Sequence, residues 1–230
     1  MSKPHLSIWV VLALTAACST ATRNASPSST APVVTAQTLS PEAEAAAIAQ
    51  ARADSIRKPY TAADVEFMSH MIHHHAQAIV MARWAPTHGA SPAVQRLADR
   101  IINAQLDEIG TMQSWLRDRR QPVPQATPGG VMMNMGGMQH EMLMPGMLTD
   151  AQMKELDAAR GPDFDRLFLK YMIQHHQGAV SMVKELFDTY GAGIDDTVFK
   201  FASDVNVDQT TEIARMEKLL ISVTLGIDTQ

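Results

Sequence analysis

Two adjacent histidine pairs, His74-His75 and His175-His176, stand in matching surroundings of methionine. On a helix turning about 100° per residue, His74 and Met81 lie about 20° apart, with Met71 about 60° away on the same side. His75 falls about 40° from Met71, on an adjoining strip with Met68. Met172, His175, His176 and Met182 repeat the arrangement, and further along Gln105, Glu108 and Met112 form a stripe that recurs as Gln209, Glu212 and Met216. Imidazole nitrogens and thioether sulfurs converging from facing helices make a soft donor set suited to Cu(I), with a carboxylate able to assist Cu(II). Thioethers have no proton to lose and form no disulfides, which favours them over thiols in an oxidising space.

Plainer roles compete with this chemistry. A methionine on an apolar helix face is commonly a flexible core filler, and a lone buried histidine is commonly a hydrogen-bonded core residue. Two adjacent histidines recurring at matched places fit that picture less well, because buried polar groups cost free energy unless partnered. His70 and His73 have no histidine counterparts in the second copy and read as solvent-facing. Glu108 and Glu212 read equally as ligands, as partners that hold a histidine, or as surface acids.

A second thioether-rich stretch runs from Met132 to Met147. It contains Met132, Met133, Met135, Met138, Met142, Met144 and Met147, seven of the chain's 16 methionines, together with His140. A packing segment would mix in leucine and valine and would not need the glycines. Closely spaced thioethers on a pliable backbone form a secondary Cu(I) site, to which His140 adds a nitrogen; the plainer reading is a sticky loop covering the helices.

The elements that must position these side chains are helices. Ser40-Pro41-Glu42 opens a helix over 41–57 with little apolar face. Thr61-Ala62-Ala63-Asp64 caps a long helix that ends before Pro86, and Ser91-Pro92 starts another running to about Arg120. Residues 121–148 read as a Pro/Gly/Met loop, Thr149 caps a short helix ending at Gly161-Pro162, and two long helices follow, over about 163–190 and 196–223. Strand alternation is absent throughout. An internal repeat organises the whole. Phe67-Met68-Ser69-His70-Met71-Ile72-His73-His74-His75 aligns with Phe168-Leu169-Lys170-Tyr171-Met172-Ile173-Gln174-His175-His176 at an offset of 101 residues, and Asp64 aligns with Asp165. The companion helices align at an offset of 104, a three-residue insertion in the second turn making the difference. Repeat one spans 61–120 and repeat two 163–224, inside a duplicated domain of 60–225. One helical hairpin cannot bury its apolar stripe alone, so the two are expected to pack as a four-helix bundle.

Composition sets the outer bounds. The 230 residues are 46% hydrophobic and 19% charged, which is foldable, and a net charge of −5 argues against nucleic acid as a partner. Lys3 and the apolar run from Leu6 to Ala17 read as a signal segment, residues 1–17, too short to serve as a stable membrane span. Leu14-Thr15-Ala16-Ala17-Cys18 resembles a bacterial lipobox, so Cys18, the only cysteine, is expected to carry lipid. A single cysteine permits no disulfide framework and no thiolate site. Residues 18–40, rich in Ser, Thr, Ala and Pro, read as a tether.

The twice-repeated Phe-x-x-x-Met-Ile-x-His-His motif at 67–75 and 168–176, with Met144-Pro145-Gly146-Met147-Leu148-Thr149 and Gln209-x-x-Glu212-Ile213-x-x-Met216, resembles the bacterial domain of unknown function 305 family over about Tyr60 to Leu225. The resemblance implies an all-α, ferritin-like bundle, exported, with copper binding in some members. It carries Met71, His74, His75, Met81 and Met112, and Met172, His175, His176, Met182 and Met216, into the site. Leu169 and Tyr171 depart from Met68 and His70, leaving the second site poorer in donors. The expectation is therefore an envelope protein that binds and buffers copper, with copper-transfer proteins or a second copy as partners and the membrane met only through the lipid anchor. No catalytic residues are expected. A ferritin-like iron or manganese oxidase is the rival, but it needs Glu-x-x-His motifs that are absent here. A metal-free interaction module is the third reading.

Overall fold

The computed structural model describes residues 40–226. The signal segment, Cys18 and the tether up to residue 39 lie outside the described residues. The described residues fall into two units, 40–47 and 48–226, the boundary falling inside the first helix. The described elements are α1 (Pro41–Ile56), α2 (Ala62–Arg83), α3 (Pro92–Asp118), β1 (Val131–Met135), β2 (Met138–Met142), α4 (Asp150–Ala158), α5 (Gly161–Asp188) and α6 (Asp196–Leu225). No described helix is long and apolar enough to cross a membrane.

Local chemistry sets the helix ends. The Thr61 hydroxyl accepts from the Asp64 amide while the Asp64 carboxylate accepts from the Thr61 amide at 2.7 Å, a complete capping box at the start of α2. Ser91 caps α3 with Pro92 in the first turn, where a missing N–H costs nothing. Thr149 and Gln152 box the start of α4. The Asp195 carboxylate takes the amides of Thr197 and Val198 at the start of α6.

Helix α2 packs on α3, α5 packs on α6, and α2 and α5 pack against each other. Two buried clusters result. One is built around Phe67, Ile72, Trp115, Leu186 and Phe201, the other around Leu97, Ile101, Leu156, Phe164 and Phe168. Each such side chain contributes about 1.5–3 kcal/mol by leaving water. Two aspartates that align in the sequence tie the packed pairs to each other. Buried Asp64, at the start of α2, accepts from the Gly193 amide at 2.7 Å in the α5–α6 turn. Buried Asp165, in the first turns of α5, accepts from the Ser91 amide at 3.1 Å in the α2–α3 turn. Each carboxylate thus satisfies a backbone donor of the opposite pair through a charge-assisted bond.

The stretch read as a featureless loop contains an antiparallel β-hairpin, which corrects the expectation that strands are absent. Val131 pairs with Met142, Met133 with His140, and Met135 with Met138. The two residues between the strands, Gly136 and Gly137, both have positive φ, 63° and 87°. That is the backbone a two-residue type I′ turn requires and that glycine supplies without strain. The Asn134 side chain accepts from the Gly137 amide at 3.0 Å and fixes the turn. These glycines shape a turn rather than lending slack.

Candidate metal centre

Histidines meet where α2 packs on α5. The rings of His74 and His175 lie 3.8 Å apart, centroid to centroid, and each is followed one residue on by a second buried imidazole whose ring centre is 6.3 Å away. All four side chains are fully buried. The outer two are held from the companion helices: His75 Nε2 donates to Glu108 Oε2 at 2.7 Å, and His176 Nε2 donates to Glu212 Oε2 at 2.7 Å. Of the three roles left open for these glutamates, the partner of a histidine is the one observed. A carboxylate bonded at Nε2 fixes the ring's orientation, the way proteins hold a histidine that meets a metal through its other nitrogen.

The inner pair differs within itself. His74 Nε2 donates to the Pro145 carbonyl at 3.0 Å, whereas neither ring nitrogen of His175 meets a partner in hydrogen-bond geometry. Together with Nδ1 of His74, His75 and His176, that makes five buried imidazole nitrogens without a partner among the described residues. An unmet buried polar atom costs about 1–3 kcal/mol, so this concentration calls for a function. Charge is excluded from the inner pair. Burial, reinforced by His75 and His176 and opposed by the Pro145 carbonyl, pulls His74 down to about 3. Burial and the neighbouring imidazoles hold His175 well below the ordinary histidine range, although the His74 carbonyl opposes the shift. Both rings are neutral at physiological pH and keep a lone pair available for a cation.

The methionines are divided in a way the sequence did not suggest. Met71, Met112 and Met182 share one buried cluster with Met68, Met144 and Met147, while Met81, Met172 and Met216 share the other. Each cluster therefore draws thioethers from both histidine-bearing halves of the sequence. The stretch before His74 lies with the stretch after His175, and the reverse, because α2 and α5 pass each other head to tail. Among the described residues no three His, Cys, Asp or Glu side chains gather as a ready-made metal cage. Any metal held here would combine imidazole with thioether, which is the donor set of a soft cation.

The remaining candidates separate. Met144 and Met147 are core residues, whereas Met132, Met133, Met138, Met142 and His140 are exposed on the hairpin. Met135 lies on β1, opposite Met138. His70 and His73 are half-buried rather than solvent-facing. His73 Nδ1 lies 3.1 Å from the Thr127 carbonyl, and burial lowers His70 although Glu66 opposes it. Sequence reasoning placed Gln105 and Gln209 in the right stripe without a role. Both are buried, with neither polar side-chain atom of Gln105 partnered and Oε1 of Gln209 unpartnered. It missed Gly178 altogether. A Cβ there would stand 1.9 Å from the Pro145 carbonyl oxygen, so only glycine lets the 144–147 strap lie against α5 and reach His74. A surface cavity of about 750 Å³, lined among others by Arg96, Arg100, Arg215 and Lys218, contains neither histidine nor methionine.

Comparison with known proteins places the chain in a family. The family model described as "Domain of unknown function (DUF305)" matches residues 64–220. A candidate secreted DUF305 protein from Streptomyces coelicolor is 31% identical, with a TM-score of 0.58, over 70% of this chain and 94% of that one. CopM in its Cu(II)-bound form is 31% identical, with a TM-score of 0.54, over 69% of this chain and 96% of CopM, and its Cu(I)-bound form also matches. An uncharacterized protein, L153, of Acanthamoeba polyphaga mimivirus is 37% identical over 57 residues, 25% of this chain and 38% of the length of that relative.

Proposed function

The chain belongs to the DUF305 family, and on that premise we propose that it is an exported protein that binds and buffers copper in the cell envelope. In this reading two repeated helical hairpins form a ferritin-like four-helix bundle, and Cys18 carries the lipid that anchors it. The single observation that carries the metal assignment is the buried quartet of His74, His75, His175 and His176, with five unpartnered ring nitrogens beside two methionine clusters. The donor set fits copper: buried imidazoles, the outer two oriented by Glu108 and Glu212, and thioethers that hold Cu(I) without a proton to displace. Met71, Met112 and Met182 would serve one half of the centre, and Met81, Met172 and Met216 the other. The CopM forms bound to Cu(II) and Cu(I) support copper, and the Ag-bound form of the same protein supports a site for soft cations. A paired iron or manganese site would need about four bundle carboxylates, and the two carboxylates at this centre are each engaged by a histidine.

Anaerobic Cu(I) titration tests the assignment. Replacing His74, His75, His175 and His176 together is expected to remove the tighter sites, whose affinity falls with acid because imidazole must be neutral to bind, while helical content persists. A folded quadruple variant that binds as many Cu(I) ions as wild type at neutral pH would falsify the centre.

A further inference from the structure

Beneath the β-hairpin lies a cavity of about 450 Å³, lined among others by Met142, Met144, Met182, His70, Glu66 and Glu185. Its thioethers link two populations that are otherwise separate. Met144 and Met182 belong to the buried cluster that contains Met71 and Met112. Met142 is the last residue of β2 and is 42% exposed.

The strand register extends this series outward. Side chains that face each other across an antiparallel pair share one side of the ribbon, and alternate residues share it too. Val131, Met133, Met138, His140 and Met142 therefore stand on one side, and Met132 and Glu141 on the other. The orientation of that first side is fixed at the base of the hairpin, where Val131 packs on the buried cluster and Met142 lines the cavity. Moving outward along the same side come Met133 and His140, then Met138 beside the turn, with Met133 42% and Met138 65% exposed. Large apolar side chains left this open on a short two-stranded ribbon contribute little to folding, so their retention requires another use.

We propose that this side of the hairpin and the cavity at its base form an uptake route for Cu(I), a proposal that rests on reading the buried quartet as a copper centre. Met133, Met138 and His140 take the ion at the surface, Met142 brings it to the cavity, and Met144 and Met182 pass it to the buried cluster. Each step exchanges one neutral soft donor for the next. The ion stays Cu(I), and no thioether gains or loses a proton, so no oxidant, reductant or acid is consumed. Glu66 and Glu185 at the cavity wall offset the positive charge as it leaves water.

The test uses the full chain with methionine labelled at its methyl carbon. Cu(I) is supplied anaerobically as its bathocuproine disulfonate complex, and methyl shifts are followed in time. Wild type is expected to show the Met133, Met138 and Met142 signals moving first, at substoichiometric metal, followed by those of Met71, Met112 and Met182. In a variant combining Met133→Leu, Met138→Leu, Met142→Leu and His140→Gln, the buried signals should reach the same end point at least tenfold more slowly. Met132→Leu, on the opposite side, should load at the wild-type rate. Equal loading by wild type and the four-residue variant overturns the route and leaves the buried centre standing, and slowing by Met132→Leu as great as by that variant overturns its sidedness. Buried signals that never move in wild type at saturating Cu(I) overturn the centre itself, and the route with it.

Discussion

Acid should destabilise the metal-free protein through its two inner histidines. His74 is held near 3 and His175 well below the ordinary value of 6.5, both by burial among other imidazoles. An unfolded chain protonates these rings below pH 6.5, whereas the folded chain does not until the pH approaches the depressed value. The stability they lend is therefore fully present above pH 6.5 and is lost as the pH falls below it. Each ring removes about 1.4 kcal/mol per pH unit over that interval, so at pH 4.5 His74 alone accounts for about 2.5 kcal/mol. His175 adds a loss in the same direction, against a total stability of about 5–15 kcal/mol for a typical domain. The perturbation that isolates this effect is His74→Leu with His175→Leu, which removes both protons while keeping side chains of similar bulk in an apolar site. Urea unfolding followed by circular dichroism, at pH 7.5 and 4.5 and with chelator present, measures it. Wild type should lose at least about 2.5 kcal/mol more between the two conditions than the double variant. Asp195 does not confuse the comparison: burial pushes its carboxyl up, but bonds from Arg119 and Trp115 more than reverse this, and its acid loss is common to both proteins. Equal losses would refute the picture of a neutral, buried imidazole pair.

Gly178→Ala should cost about 1–3 kcal/mol, because the new Cβ meets the Pro145 carbonyl oxygen at 1.9 Å and the gain in helix propensity only partly offsets overpacking. Gly110→Ala, in α3 with nothing within 4 Å of the added atom, should instead stabilise by about 0.5–1 kcal/mol; thermal unfolding of both variants checks the contrast. If Cys18 carries lipid, the mature protein should partition with membranes into detergent and Cys18→Ala should remain unprocessed or become soluble. Unchanged soluble export of both proteins counts against the anchor.

Much of this architecture could be read from the chain because it rests on local signals. Thr61, Ser91, Thr149 and Asp195 cap helices by bonding to amides two or three residues on, and those bonds need no tertiary knowledge to anticipate. The hairpin was legible too, since Gly136-Gly137 between methionine-rich segments is a two-residue turn signal. It was lost because the methionines suggested ligands before they suggested strands. Glu108 and Glu212 were ambiguous for a different reason. Helical spacing places them on a stripe, but only the packing of α3 on α2 and α6 on α5 brings them to the histidines.

What the sequence concealed most thoroughly is where the two copies cease to be equivalent. Gln77 aligns with Gly178, and the structure gives the two positions opposite tasks on one strap. The Gln77 side chain accepts from the Leu148 amide at 2.7 Å and donates to the Leu148 carbonyl at 3.0 Å, fixing the strap's far end. Gly178 removes its own side chain so that Pro145 can approach α5. One strap thus lies over one half of the centre, and for that reason His74 donates to a strap carbonyl while neither ring nitrogen of His175 meets one in hydrogen-bond geometry. Symmetry in the helices with asymmetry in the strap yields two inner imidazoles of different readiness. His175 offers either nitrogen to a cation, whereas His74 must break with Pro145 to offer Nε2. On the copper reading, occupation of His74 through Nε2 would loosen the segment that carries Met144, Met147 and the hairpin, coupling the state of the buried centre to the thioethers that supply it.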